Sequence, residues 1–471
     1  MTRNARNCVL LGLLALVGLV GCKGFDGAKV RRDHAAGYRQ ELGQKTDEVL
    51  KTGEPLTLDD CIRIALENSL EVRSAEIEAR IGQLNRRTAF ANFLPTVSLN
   101  YAETHFDPSV VRSIGGFTAA MSDKRVREVT WDIQMSIFNP ATWFLYSMHS
   151  RGAEIADIVT EYTKQLTVLQ VTAGYFHCLS LAEYEKALNS QIQAAEVVQK
   201  ELTAFRDEGL ASAWQADQAG VMLLARQMER DRTERALIQA RADLLTTMGL
   251  SPLAEISLRA DAEVEAVNGS LEELVSEALL GHPNLRISDR VVAVEKEAVK
   301  VAFASFLPVL QGFATRMDSS DSFLKYSNYW VGGLAGTLSV FNGFANINEY
   351  KAARARREEA FLQREQASLA LILEVLKAHL NLQTADQERQ WAQQSLSVAS
   401  ARWAEARQQQ GEGLVNTSEL LDLLAQRDSA QMQAINAGHQ YQVSRATLRN
   451  VMGKTKIDFE EDEYDEQSQA K

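Results

Sequence analysis

The sequence predicts a mainly helical protein with a membrane β-barrel, built from one unit used twice: two short helices, one long helix and two strands per copy. Three observations lead there. Ala89-Phe90-Ala91-Asn92-Phe93-Leu94-Pro95 recurs as Ala302-Phe303-Ala304-Ser305-Phe306-Leu307-Pro308, six of seven letters shared, with the two prolines 213 residues apart. All seven prolines fall at or near proposed boundaries, which leaves Ala141 to Ser251, and everything after Pro308, free of them. After each Leu-Pro the sequence changes to an apolar-polar alternation. A fixed internal period marks a repeated architecture, proline-free stretches permit long helices, and period-two alternation marks strands with one oily and one wet side.

The two copies align without a gap before the signature. Leu58-Asp59-Asp60-Cys61-Ile62 lies over Leu271-Glu272-Glu273-Leu274-Val275, and Ala65-Leu66 over Ala278-Leu279. After it, Phe138-Asn139-Pro140 answers Phe341-Asn342-Gly343. Glu208-Gly209-Leu210 answers Glu412-Gly413-Leu414, and Met248-Gly249 answers Met452-Gly453. Only the stretch from Leu-Pro to Phe-Asn differs in length, 43 residues from Pro95 to Phe138 against 33 from Pro308 to Phe341. Such variation is how a surface loop behaves. The expected organisation is a signal over 1–21, a linker over 22–55, a first repeat over 56–250, a second linker over 251–270, a second repeat over 271–455 and an acidic tail over 456–471.

Residues 1–21 read as a secretion signal, with Arg3 and Arg6 at its basic start and an apolar run from Cys8 to Val20. The run is short for a membrane span and ends in small residues. Leu19-Val20-Gly21-Cys22 resembles the bacterial lipobox, which makes Cys22 the lipidation site; the alternative is a plain signal with an incidental cysteine. Acyl chains stabilise anchoring by about 0.8 kcal/mol per buried methylene. Lys23 follows that cysteine, whereas an Asp there is the usual mark for retention at the inner membrane. The chain carries a net charge of −12, more acidic once the signal is lost, which excludes the basic surface of a nucleic-acid binder. Cys61 and Cys178 remain. Both fall in apolar helical stripes and are expected as buried thiols rather than a disulfide, although an oxidising compartment permits pairing.

Long helices are expected at about 58–93, 141–207 and 212–248. In the second, Ile155, Val159, Tyr162, Leu166, Leu169, Ala173 and Phe176 step by four and three, followed less strictly by Tyr184, Leu188, Ile192, Ala195, Val198, Leu202 and Phe205. Leu362, Leu369, Leu373, Leu376 and Leu380 give a poorer version in the second copy. Such heptad-like stripes read as core between helices packed side by side. At 1.5 Å per residue the two shorter helices together span roughly 108 Å and the long one roughly 100 Å. The short pair therefore stacks end to end along the long one, with Gly209 supplying the reversal at one extremity and the strands at the other.

Strands are expected at about 96–106, 129–138, 309–317 and 334–340, with exposed tips at about 107–125 and 318–328. Val129, Trp131, Ile133, Met135 and Ile137 form the clearest apolar face. About ten residues suffice for a tilted strand to cross a bilayer, and Trp131, Tyr329 and Trp330 suit interfacial belts. The alternative is an ordinary sandwich strand. Four strands cannot enclose a lumen, and an open edge in lipid leaves backbone groups unpaired. Identical neighbours must complete the sheet, and a homotrimer supplies twelve strands.

Leu56-Thr57-Leu58-Asp59-Asp60-Cys61-Ile62-Arg63-Ile64-Ala65-Leu66-Glu67-Asn68, the paired Phe-Leu-Pro motifs, Phe138-Asn139, Phe341-Asn342-Gly343 and the paired Gly-Leu turns resemble, in that order, the outer-membrane efflux proteins, the TolC-like channel-tunnels, and most of all their lipoprotein branch. The resemblance covers roughly residues 56–455. It implies a trimeric channel with a twelve-stranded β-barrel in the outer membrane and a long periplasmic α-barrel. It also implies export with a periplasmic adaptor and an inner-membrane pump, a proton-driven pump being favoured over an ATP-driven one. The family's Asn-Pro is replaced by Ser69-Leu70 in the first copy and kept as His282-Pro283 in the second, which calls the first helix break into question.

No catalytic constellation and no cofactor motif is present, so no enzyme is expected. Glu419 and Asp422 are spaced to share a helix face, while the first copy has Gln215 and Gln218 there. The resemblance implies a periplasmic gate, with carboxylate rings that favour cations; the alternative is a pair stabilised by the helix N-terminus. It also implies that Gly209, Leu210, Gly413 and Leu414, the hairpin tips, meet the adaptor. A structural coiled-coil envelope lipoprotein without transport activity is the competing reading. It explains the lipobox and heptads but not the strands or the duplication.

Overall fold

A computed structural model describes residues 25–50, 55–106, 111–114, 117–260, 262–411 and 415–455. Each half of the chain runs through two short helices, a strand pair, a long helix and a 35-residue helix. In the first half these are α2 (Leu58–Asn68), α3 (Leu70–Ala91), β1 (Thr96–His105), β4 (Arg125–Phe138), α4 (Pro140–Asp207) and α5 (Ala213–Thr247). In the second they are α6 (Leu271–Gly281), α7 (Pro283–Ala304), β5 (Val309–Ser319), β6 (Asn328–Thr337), α8 (Ala345–Gly411) and α9 (Thr417–Val451).

Several boundaries differ from the sequence expectation. The linker expected at 22–55 contains helix α1 (Gly27–Val49), N-capped by Asp26, whose carboxylate accepts from the Ala28 and Lys29 amides. The first exposed tip holds its own hairpin, β2 (Val111–Ile114) paired with β3 (Phe117–Ala120). Strand β6 ends at Thr337, so Leu338 and Val340 lie beyond it.

The helix break in the first copy is present despite the lost proline. Ser69 leaves helical geometry at ψ 132°, matching His282 at ψ 127°. Ser69 makes this break without a proline and without a side-chain cap on α3. Thr57 and Asp60 form a capping box that fixes the start of α2, as Ser270 and Glu273 do for α6. Gly249 then ends α5 against the break, at φ +72°.

The hydrophobic core lies where α2, α4, α5 and the inter-repeat segment converge. Fully buried Tyr175 places its hydroxyl 3.1 Å from the Leu56 carbonyl and 2.6 Å from that of Arg259. Leu56 and Leu258 pair in parallel as an isolated bridge, so the chain entering the first repeat and the chain leaving it are tied at one place. Cys61 and Cys178 are free thiols in this core, as expected. Burial pushes their pKa values up to about 12 and about 11.

The stripe read in α4 from Ile155 to Phe176 is only partly the core. Val159 is exposed, whereas Ile158, Val168, Val171, Tyr175 and Cys178 are buried. The physical reason is that α4 has neighbours on two sides, α3 and α5 on one and α7 and α9 on the other. Burial therefore spreads around the helix rather than following one seam. In the lower half Leu188, Ile192, Ala195, Val198 and Leu202 are buried as expected.

Candidate channel wall, gate and hairpin tips

The four long strands form one antiparallel sheet in the order β1-β4-β5-β6. The β4–β5 ladder joins the two repeats through pairs such as Asp132↔Thr315 and Trp131↔Arg316. β1 and β6 each pair on one side only, so the sheet is open at both edges.

Directly opposed residues of an antiparallel sheet share a face. One face carries, in successive rows, Met135, Gly312 and Leu334; Val97, Ile133, Ala314 and Gly332; then Leu99, Trp131, Arg316 and Trp330. Side chains such as Leu99, Trp131, Trp330 and Leu334 are exposed there. The other face carries Ser98, Asn100, Asp132, Gln134 and Thr315, where Asp132 accepts from Asn100 Nδ2 at 2.8 Å and Thr315 Oγ1 at 2.7 Å. Tyr329 belongs to this second face and donates to Met317 Sδ. Adjacent strand residues point oppositely, so Tyr329 and Trp330 do not share a belt.

Below the sheet the helices stand in four columns: α3 with α5, then α4, then α7 with α9, then α8. The order of columns repeats the order of strands. Gln83 to Asp157, Arg286 to Glu161 and Arg364 to Asp289 bridge successive columns. The two outer columns each have one unpartnered side. On α8, Ala360, Leu371, Ala378 and Ala385 pack inward, while Leu362, Leu369, Leu373 and Leu380 are exposed on the opposite side, Leu369 by 68%. The stripe read from sequence as core is therefore open surface in a single chain. On α3 and α5, Ile77, Ile81, Leu84, Val221, Leu224 and Met228 are likewise exposed.

At the far end of the helices, Gly209 turns the chain at φ +75°. The Phe205 carbonyl accepts from both Leu210 and Ala211 amides, and Ser212 with Gln215 caps α5. Leu210 is 73% exposed. Gly413 and Leu414, like Cys22, lie outside the described residues. Asn416 caps α9 by accepting from the Glu419 amide at 2.9 Å. Glu419 and Asp422 are both exposed on this first turn and a half.

The sequence reading missed Asp428. It is 2% exposed, with Arg427 at 2.7 Å and Arg226 of α5 at 3.3 Å, so it ties the two tip hairpins together. Burial raises its pKa, and the two guanidinium groups only partly offset that. Arg427 also stacks over Trp403 at 4.4 Å. The signal was available: Asp428 sits seven residues after buried Leu421, an acid at a core position. Nearby, Arg407 of α8 makes paired bonds of 2.9 and 2.7 Å to Glu201 of α4.

The profile of the outer membrane efflux protein family matches residues 274–454. That segment, which is most of the second repeat, is similar to the outer membrane efflux proteins. A pyoverdine export outer membrane protein, OpmQ of Pseudomonas putida, is 22% identical over 72% of this chain and 73% of its own. The outer membrane protein VceC of Vibrio cholerae superposes with a TM-score of 0.73 at 15% identity, covering 84% of this chain and 96% of that one. The CmeC outer membrane channel of Campylobacter jejuni gives 0.75 at 15%, covering 88% and 89%. An open-state MtrE outer membrane channel of Neisseria gonorrhoeae gives 0.72 at 17%, covering 85% and 90%. The fold shared with these solved channels thus extends over both repeats, beyond the segment that the family profile matches.

Proposed function

We propose that the protein is the outer-membrane duct of a multi-part export system, closed as a homotrimer. The observation that carries this is the pair of incomplete edges. The sheet lacks a partner on β1 and on β6. The helical columns lack a partner on the same two sides, where heptad-spaced apolar residues stand exposed. A heterologous contact that joins one edge to the other closes a ring when the rotation allows it. Three copies give twelve strands and twelve columns, a size that encloses an aqueous lumen. The sheet's apolar face then meets lipid, and Asp132, Asn100 and Gln134 line water.

In this reading the duct conducts passively, driven by a periplasmic adaptor and an inner-membrane pump, with a proton-driven pump favoured. Cys22 anchors the chain through acyl groups. Gly209, Leu210, Gly413 and Leu414 meet the adaptor. Glu419 and Asp422 form cation-attracting rings at the periplasmic mouth. What supports the tip assignment is Leu210, a large apolar side chain left exposed at a reversal. What supports the gate is the exposure of both acids at the start of α9. The purified protein in detergent is expected to be a trimer that conducts ions in a planar bilayer. A monomer, or a trimer without conductance, defeats the proposal.

A further inference from the structure

The geometry points to a binding site for the phosphate groups of an outer-leaflet glycolipid, formed by Arg125, Arg127 and His105 on the lipid side of each protomer. This rests on the barrel reading above. Alternation along β4 places Arg125 and Arg127 on the same face as Val129, Trp131 and Ile133. Their cross-strand partners on β1 are His105 and Glu103, on that face as well. The strands therefore continue their apolar face upward into a basic one, two rows past the row that holds Trp131 and Trp330 and one past the row of Tyr101 and Val129. Arg127 stands four residues, about 13 Å of strand, above Trp131. Tryptophan rows mark the interface, so these cations stand at the depth of headgroups.

The charge there is unbalanced. Glu103 is the one carboxylate that Arg125, Arg127 and His105 contact among the described residues. It bonds Arg125 closely, but Arg127 Nε is 3.6 Å away and His105 Nε2 is 3.3 Å away. Glu103 also accepts from the Tyr101 hydroxyl at 2.9 Å. One carboxylate shared in this way leaves a guanidinium in excess, and the imidazole adds to it when protonated. All three basic groups are about half exposed or more. Lower on the same face, Arg316 lies over Trp330 at 5.9 Å and is already matched by Asp318 at 3.4 Å. It positions the rim rather than supplying the excess. A guanidinium pair with fixed spacing suits a phosphate, which accepts bidentate bonds.

The test is native mass spectrometry of the purified protein in detergent, titrated with bisphosphorylated lipid A and with the same lipid after phosphatase treatment. Preference for the phosphorylated form by at least tenfold is expected. It should be lost in the variant Arg125→Gln/Arg127→Gln/His105→Gln and reduced but still present in Arg125→Lys/Arg127→Lys, which keeps the charge without the bidentate fork. Vesicles of phosphatidylglycerol should compete poorly. Equal binding of the two lipids, or unchanged preference in the glutamine variant, overturns the site, as does equal competition by phosphatidylglycerol. Bilayer conductance of the same preparations separates the two readings: a conducting protein without lipid preference overturns the site alone, and a non-conducting one overturns the duct.

Discussion

Gly249 and Asn68 approach so closely that no side chain fits between them. A Cβ on Gly249 would lie 2.2 Å from the Asn68 carbonyl oxygen, and the residue is held at φ +72°. This contact seats the end of α5 on the break between α2 and α3. Gly209 has nearly the same backbone, φ +75°, but open space around it. Left-handed geometry alone costs a non-glycine residue about 1–2 kcal/mol. Gly209→Ala should therefore lower stability by about that amount. Gly249→Ala should cost clearly more, because backbone must also move. Denaturation midpoints of the two variants check the difference; equal shifts would remove the role given to the Asn68 contact.

Cys61 and Cys178 should be inert to thiol reagents in the folded protein. With pKa values near 12 and 11, the thiolate fraction at pH 8 is on the order of one part in ten thousand and one in a thousand. Labelling should appear only in denaturant, and both sites should label there together with any other free thiol.

Asp428 gives stability a specific pH dependence. Its carboxyl is held above the ordinary carboxylate range by burial, so the folded protein binds this proton more tightly than the unfolded chain does. Its contribution is fully present below the unfolded pKa and declines as pH rises through the folded one. Asp428→Asn should flatten that part of the curve of Tm against pH. An unchanged slope would mean that Arg226 and Arg427 cancel the effect of burial.

Glu419 and Asp422 carry the gate proposal. Glu419→Gln/Asp422→Asn should reduce block by divalent cations several-fold in planar-bilayer recordings, with trimer mass unchanged. The first-copy positions, Gln215 and Gln218, already carry the neutral amides, so the substitution makes the two repeats alike.

Much of this fold was legible from local pattern. The Leu-Pro signatures, the alternation of β4 and the long proline-free stretches located most of the helices and strands, although β6 starts at Asn328 rather than near 334 and nothing in the pattern announced the β2–β3 hairpin. What pattern missed depends on three-dimensional contact. The break at Ser69 stands without a proline, at the place where the Gly249 backbone packs on Asn68. Helix α1 has few apolar residues to announce it, yet its end packs on the core through Val49 and Leu50. The leucine stripe of α8 has the period of a core and the exposure of a surface, and only the arrangement of columns explains both. Asp428 hid because one of its two partners, Arg226, comes from another helix.

The edges themselves can be joined. Ion pairs from column to column set the levels: Lys164 with Glu76, Arg286 with Glu161, and Arg364 with Asp289. They bring Ile77 of α3 to about the height of Leu369 of α8, on opposite outer edges of one chain. Cysteines placed at both positions and bridged with a short bismaleimide should yield covalent trimers on a denaturing gel. Bands no larger than a single chain would contradict the closure of one protomer's open edge by the next.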